Sequence, residues 1–183
     1  LETGIAAIDH GADAVYIGAT HHGARANAAN SIDDIKTLCE YAHKFMARVY
    51  VTINTIVYDD ETEGIRQLLC QLSKVCVDAI LVQDMAIVKM VNDADISDPL
   101  AYFKGRMHAS TQTDNRHAEK VAWLRDCGMA RVVLARELSL DEISSIHRQV
   151  PDVELEAFVH GALCVSYSGL CYASQCCMGR SAN

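Results

Sequence analysis

The sequence predicts an α/β fold, a (β/α)8 TIM-barrel-like domain present as a fragment with about six parallel strands. Short apolar runs rich in β-branched residues begin near positions 14, 48, 79, 107, 131 and 153. Segments with a period near 3.6 separate them, the rhythm of parallel strands joined by right-handed crossovers. An open doubly wound sheet fits that rhythm too. However, residues 18–23 (Gly-Ala-Thr-His-His-Gly) lack the dinucleotide glycine spacing, and no Gly-Lys-Ser/Thr phosphate loop exists. The barrel is therefore the reading adopted, with residues 1–183 as a single partial domain.

Residues 1–10 read as a helix already under way, and 14–18 as a buried strand. Ile32, Ile35, Cys39, Ala42 and Met46 share one helix face, opened by a capping box of Ser31 and Asp34. Strands follow over 48–54 and 79–83, with the stripe Ile65, Leu68, Leu69, Leu72, Val75 and Cys76 between them. Segment 95–105, with Asp-Pro and Lys-Gly, reads as a loop insertion before a strand at 107–111. Ala118, Val121 and Ala122 give a helix ending at Gly128, placed as a C-cap glycine. A strand at 131–135, a helix capped by Ser139 and Glu142, and a strand at 153–158 complete the series. The first segment looks like an orphan helix, and 179–183 ends in no element, so the expectation is a barrel lacking one strand at each end.

The chain holds 183 residues, 16 basic against 24 acidic, a formal net charge of −8. Half the residues are hydrophobic and there are two prolines and ten glycines, which excludes disordered and collagenous chains. The acidic balance argues against whole-surface attraction to nucleic acid but permits a local basic groove. No signal peptide or membrane span is legible, so the expected location is the cytoplasm.

Barrel enzymes place working residues just past the carboxyl ends of their strands. Those positions here hold Arg25 and Asn27, Asn54, Gln83 and Asp84, Ser110 to Gln112, Arg136 and Glu137, and His160. The candidates for catalysis are Asn54, Gln112, Arg136, Glu137, Glu156 and His160. The rim is polar but poor in paired carboxylates, which gives glycosidase chemistry little support. Arg136 with Glu137 also reads as a structural ion pair or a rim contact, and Gln112 and Asn54 as groups satisfying loop backbone. His108 reads as part of the barrel wall or a helix interface. Histidines 21 and 22, adjacent in a loop, read as solvent-exposed rather than metal-bound.

Eight cysteines are many for such a domain, and four fall in the last twenty residues. Cys39, Cys70, Cys76 and Cys127 lie on or beside apolar stripes and read as small core residues. Cys164 and Cys171 differ: seven apart with Gly169 between them, they fit a loop that turns two soft thiolates toward one centre. Two reduced cysteines filling a loop fit the same spacing. Segment 159–183 is a cysteine-rich loop, and its spacing fits either use.

The stretch 156–174, Glu-Ala-Phe-Val-His-Gly-Ala-Leu-Cys-Val-Ser-Tyr-Ser-Gly-Leu-Cys-Tyr-Ala-Ser, closely resembles the signature of the collagenase-like peptidase family U32. Further blocks resemble the family at 11–18, 23–27, 54–57, 82–85, 108–112 and 134–138, so the likeness runs through the chain. Within the family it most resembles the bacterial branch that hydroxylates a cytidine of 23S ribosomal RNA. A sister branch hydroxylates the wobble uridine of tRNA.

The resemblance implies a barrel-like catalytic domain, of which this chain would hold strands two to seven. It implies an oxygen-independent hydroxylase with a [4Fe–4S] cluster on four cysteines, adding a hydroxyl to carbon 5 of a pyrimidine with prephenate as the possible hydroxyl source. By the resemblance Cys164 and Cys171 match the first two cluster ligands, which makes 159–183 a cysteine-rich cluster-binding loop, and two further ligands are expected beyond Asn183. Cys176 and Cys177 depart from the family pattern and are not assigned to the cluster. The implied partner is structured RNA, with missing C-terminal regions of the same protein supplying most phosphate contacts.

The rival class is a collagenase-like peptidase. The chain has no His-Glu-x-x-His helix and no Gly-x-Ser-x-Gly elbow; a Cys–His pair such as Cys164 with His160 is what could be proposed as nucleophile and base. A third class is a non-catalytic partner in a modifying complex.

Overall fold

The computed structural model describes residues 1–19, 30–161, 164 and 166–170. Helix α1 spans Glu2–Asp9 and leads into strand β1, Ala14–Gly18. There follow α2 (Ile32–Lys44), β2 (Arg48–Ile53), α3 (Thr62–Lys74), β3 (Ala79–Val82) and α4 (Met85–Asp93). The series ends with β4 (Met107–Ala109), α5 (Ala118–Asp126), β5 (Met129–Val133), α6 (Leu140–Gln149) and β6 (Glu154–Glu156). All six strands pair in parallel in the order β1-β2-β3-β4-β5-β6, each with its sequence neighbour. The sheet curls into a half-barrel with helices outside, as the alternating pattern predicts.

Side-chain alternation divides each strand between two environments. Val49, Val51, Ile53, Ile80, Val82, Met107, Ala109 and Val132 face the helices and join the main apolar core. There they meet Ile35, Leu38 and Ala42 of α2, Ile65, Leu69 and Leu72 of α3, and Val121 and Leu124 of α5. The other face, where Tyr16 pairs with Tyr50, Leu81 with His108, His108 with Arg131 and Arg131 with Glu154, lines the inside of the curl.

Both capping boxes form: Ser31 Oγ accepts from Asp34 N–H at 3.1 Å, and Ser139 Oγ from Glu142 N–H at 3.3 Å. Gly128 sits two residues past the end of α5, just after the cap residue Cys127, at φ +93°, the left-handed stop that glycine allows.

Four details differ from the sequence reading. Met46 does not share the buried face of α2: the helix stops at Lys44, Met46 turns the chain at φ +59°, and its side chain stands in solvent while Leu38 fills the face. Cys76 likewise lies past the end of α3 at φ +59° and is exposed, so it is not a core residue. Segment 95–105 is no insertion. Asp98 caps a 3-10 turn over Pro99–Phe103 that buries Leu100 and Phe103 completely, so the Asp-Pro pair marks a helical start. Strand β5 begins two residues earlier than expected, because Met129 is buried and paired with Met107.

Candidate functional site

The inside of the curl is polar at mid-height. Tyr16 and Glu156 stand on the two end strands, 140 residues apart, yet the Tyr16 hydroxyl reaches both Glu156 carboxylate oxygens at 2.8 and 2.7 Å. This bond spans the half-barrel and ties β1 to β6 through its interior. Arg131 of β5 donates to Glu154 at 2.6 and 2.9 Å and to Glu156 at 3.2 Å, and its guanidinium lies 5.2 Å from the Tyr50 ring centre. Burial alone would lower the Arg131 pKa; the Glu154 carboxylate and Tyr50 reverse that and raise it. Partial burial and the Glu156 carboxylate raise the Tyr16 phenol above its ordinary value.

His108 completes this layer, edge-on to Tyr50 at 4.7 Å between ring centres. Its residue is 6% exposed, and its Nδ1 is the one buried side-chain N or O atom among the described residues with no hydrogen-bond partner. Burial first, then the Arg131 charge, depress its pKa to about 4, so the imidazole is neutral near pH 7. His108 thus belongs to the barrel wall, one of the two places the sequence allowed. Glu156, the last residue of β6, belongs to the same network.

The rim above is built on β2, β4 and β5. Asn54, one residue past β2, donates to Ser110 Oγ at 3.3 Å, and that oxygen also accepts from the Gln112 N–H at 3.2 Å. Fully buried Asn115 stitches β4 to β5, donating to Ser110 O at 2.9 Å and Val133 O at 2.8 Å. Asp84 spends its two oxygens on the Val57 and Ala86 N–H groups at 2.9 and 2.8 Å, holding a loop and capping α4.

Arg136 and Glu137 form no ion pair with each other among the described residues. Both grip the segment that carries the cysteine loop. Arg136 donates through Nη2 to Ser166 O at 2.8 Å and through its backbone N–H to Ser168 Oγ at 3.2 Å. Glu137 accepts from the Ser168 N–H at 2.9 Å and pairs with Arg116 at 3.3 Å. Burial would raise the Glu137 pKa, but the Ser168 bonds and the Arg116 charge outweigh it and hold the carboxyl low and ionised.

The segment turns at Gly169, φ +82°, with the Leu170 N–H bonded to Tyr167 O at 3.1 Å. A Cβ at Gly169 would stand 2.7 Å from Asp114 Cβ and 3.2 Å from Gln112 O, so only glycine seats the turn this close. Cys164, at the head of this turn, carries a half-buried thiol in no disulfide. Cys171, Cys176, Cys177, Arg25, Asn27 and histidines 21 and 22 lie outside the described residues. His160 is exposed. Thiolates are the donors that iron–sulfur clusters take, and a loop clamped at the barrel mouth suits that donor type. Among the described residues no three His, Cys, Asp or Glu side chains gather as a metal site.

Sequence reasoning missed Arg116, Asn115, Tyr16 and Arg131. The signal available for the last two was a tyrosine and an arginine at interior positions of the largely apolar runs Ala14–Gly18 and Met129–Val133. Arg116 and Asn115 carry no such signal, because only the loop's fold brings them to the rim.

The chain matches the model described as Peptidase family U32 over residues 1–183. It is 51% identical over 177 residues to the 23S rRNA 5-hydroxycytidine C2501 synthase of Escherichia coli, covering 97% of this chain and 25% of that protein. It is 35% identical over 178 residues to the tRNA hydroxylation protein P1 of Bacillus subtilis, covering 97% of this chain and 40% of that one. Among solved structures, the U32 peptidase Mk0906 superposes with a TM-score of 0.65 at 18% identity, over 84% of this chain and 63% of its own. The chain thus spans a quarter to two fifths of the two relatives' length.

Proposed function

The chain belongs to peptidase family U32, and from that premise we propose that it is the barrel part of an iron–sulfur-dependent RNA hydroxylase acting on carbon 5 of a pyrimidine. The substrate proposed is a cytidine of 23S ribosomal RNA in the cytoplasm, with prephenate as the hydroxyl source. The observation that carries the reading is the 51% identity to the 23S rRNA synthase across 97% of this chain. The clamped turn at Gly169 supports it locally, since a cofactor loop must be held at the place where substrate arrives.

Cys164 and Cys171 would hold the [4Fe–4S] cluster, with two more thiolates from residues outside this chain. When bound, the cluster supplies one-electron redox chemistry beside the barrel mouth. The residues of this chain bind and orient. Arg136 and Glu137 fix the loop, while Asn54, donating to Ser110 Oγ, supports the rim from which the Gln112 amide would reach a base edge. A base inside structured RNA must leave its stack to reach them. Residues outside this chain would supply most phosphate contacts, because its own net charge is −8.

The test uses the full-length protein. Deleting the gene is expected to remove 5-hydroxycytidine from 23S RNA, read by mass spectrometry of its nucleosides. Anaerobically purified protein is expected to carry iron and acid-labile sulfide, lost in Cys164→Ala and Cys171→Ala. Unaltered modification in the deletion strain, or protein free of iron and sulfide, overturns the reading. Gelatin cleavage abolished by Cys164→Ser would replace it with peptidase chemistry.

A further inference from the structure

We propose that Tyr167, mounted on Arg116 at the barrel rim, is a stacking platform for one unstacked nucleobase of the substrate RNA; this deepens, and rests on, the hydroxylase reading. Tyr167 is 66% exposed while its neighbours Ser168 and Gly169 are buried. The ring therefore projects from a fixed base. That base is held from several directions: Arg136 on Ser166 O, Arg136 and Glu137 on Ser168, and Asp114 and Gln112 against Gly169.

The Arg116 guanidinium lies 5.6 Å from the Tyr167 ring centre, and Asp114 and Glu137 hold that guanidinium in turn. A cation set against one aromatic face orients the ring and leaves its remaining surface to a second planar group. An aromatic ring ordered in advance gives up little entropy when a base stacks on it. Nucleobases of any identity stack on such rings, which is how single-stranded and looped RNA is commonly held.

The charge around the ring favours a nucleotide over an apolar peptide. Among the described residues Arg136 bonds serine oxygens, and Lys120 bonds the carbonyls of Thr113 and Asp114. Neither has a carboxylate partner among the described residues; with Arg116, Asp114 and Glu137 these side chains sum to a local charge of +1 beside the turn, on a chain of net charge −8. Tyr167 also lies three residues past Cys164 and four before Cys171, inside the loop assigned to the cofactor.

The experiment compares full-length wild type with Tyr167→Leu, Tyr167→Phe and Tyr167→Trp, using a 23S RNA fragment containing the modified cytidine. Affinity is read by fluorescence anisotropy, turnover by nucleoside mass spectrometry, and iron content and melting temperature are checked for every variant. Tyr167→Leu is expected to weaken RNA binding and raise KM about tenfold, with iron and melting unchanged. Tyr167→Phe and Tyr167→Trp are expected to stay near wild type. Wild-type affinity in the Leu variant overturns the platform, as does a Leu variant that loses iron together with binding, because the ring would then only shape the loop. Wild-type protein that binds the fragment through Tyr167 yet never hydroxylates it sinks the functional reading and leaves the platform standing.

Discussion

Gly169 concentrates the demands made on the rim. Its φ of +82° lies where a Cβ costs about 1 kcal/mol by backbone sterics alone. The 2.7 Å approach to Asp114 Cβ adds a collision that no rotamer relieves, since both atoms are tied to backbone. Gly169→Ala is therefore expected to lift the turn from the rim and expose the Ser168 N–H that Glu137 now accepts. Amide hydrogen exchange reads this directly: protection at Ser168 should fall in the variant, and unchanged protection would contradict the assignment. The buried thiols lie at the inert end of the same scale. Burial, with a smaller push from Asp78, raises Cys39 to about 12, so it stays a thiol and fills space in the core.

Among the elements, α6 depends most on its own ends. Only Ile146 of its ten residues is buried, and Leu140 stands in solvent. A helix with so little apolar contact relies on its caps, and Ser139 with Glu142 satisfies two N-terminal donors reciprocally. Ser139→Ala is expected to cost about 1 kcal/mol, seen as a lowered unfolding midpoint in denaturant. The equivalent change at Ser31 should cost less overall, because α2 also buries Ile35, Leu38, Cys39 and Ala42. No helix among the described residues is long and apolar enough to cross a membrane.

At the scale of the molecule, the polar layer inside the curl makes stability depend on pH. His108 titrates at about 4 when folded and near 6.5 when unfolded. Between those values the unfolded chain binds the extra proton, so stability falls as pH drops from 6.5 toward 4. The full shift corresponds to about 3 kcal/mol at 1.36 kcal/mol per unit. Denaturant midpoints at pH 7 and pH 5 should show the loss, and His108→Phe, which keeps a ring against Tyr50, should flatten it. An unflattened profile would mean that other groups carry the effect. The Tyr16–Glu156 bond contributes less, because Tyr16 is 43% exposed and solvent screens the contact.

The order of strands and helices, both capping boxes and the glycine stop at 128 were legible in the sequence, because each depends on residues within about four positions of one another. So was the glycine at 169 as the place where the chain turns after Cys164. The roles of the rim residues were not. Arg136 and Glu137 stand adjacent and read as a pair, yet each turns to a segment some thirty residues away, since the backbone groups of 166–168 offer the better-placed partners. Met46 and Cys76 carried apolar labels into positions where the backbone had already left its helix. Local spacing thus settled which elements form and in what sequence. The curl of the sheet alone brought Tyr16 to Glu156 and Gly169 to Asp114, because contacts across 140 or 55 residues arise from strand twist and loop closure rather than from any periodicity along the chain.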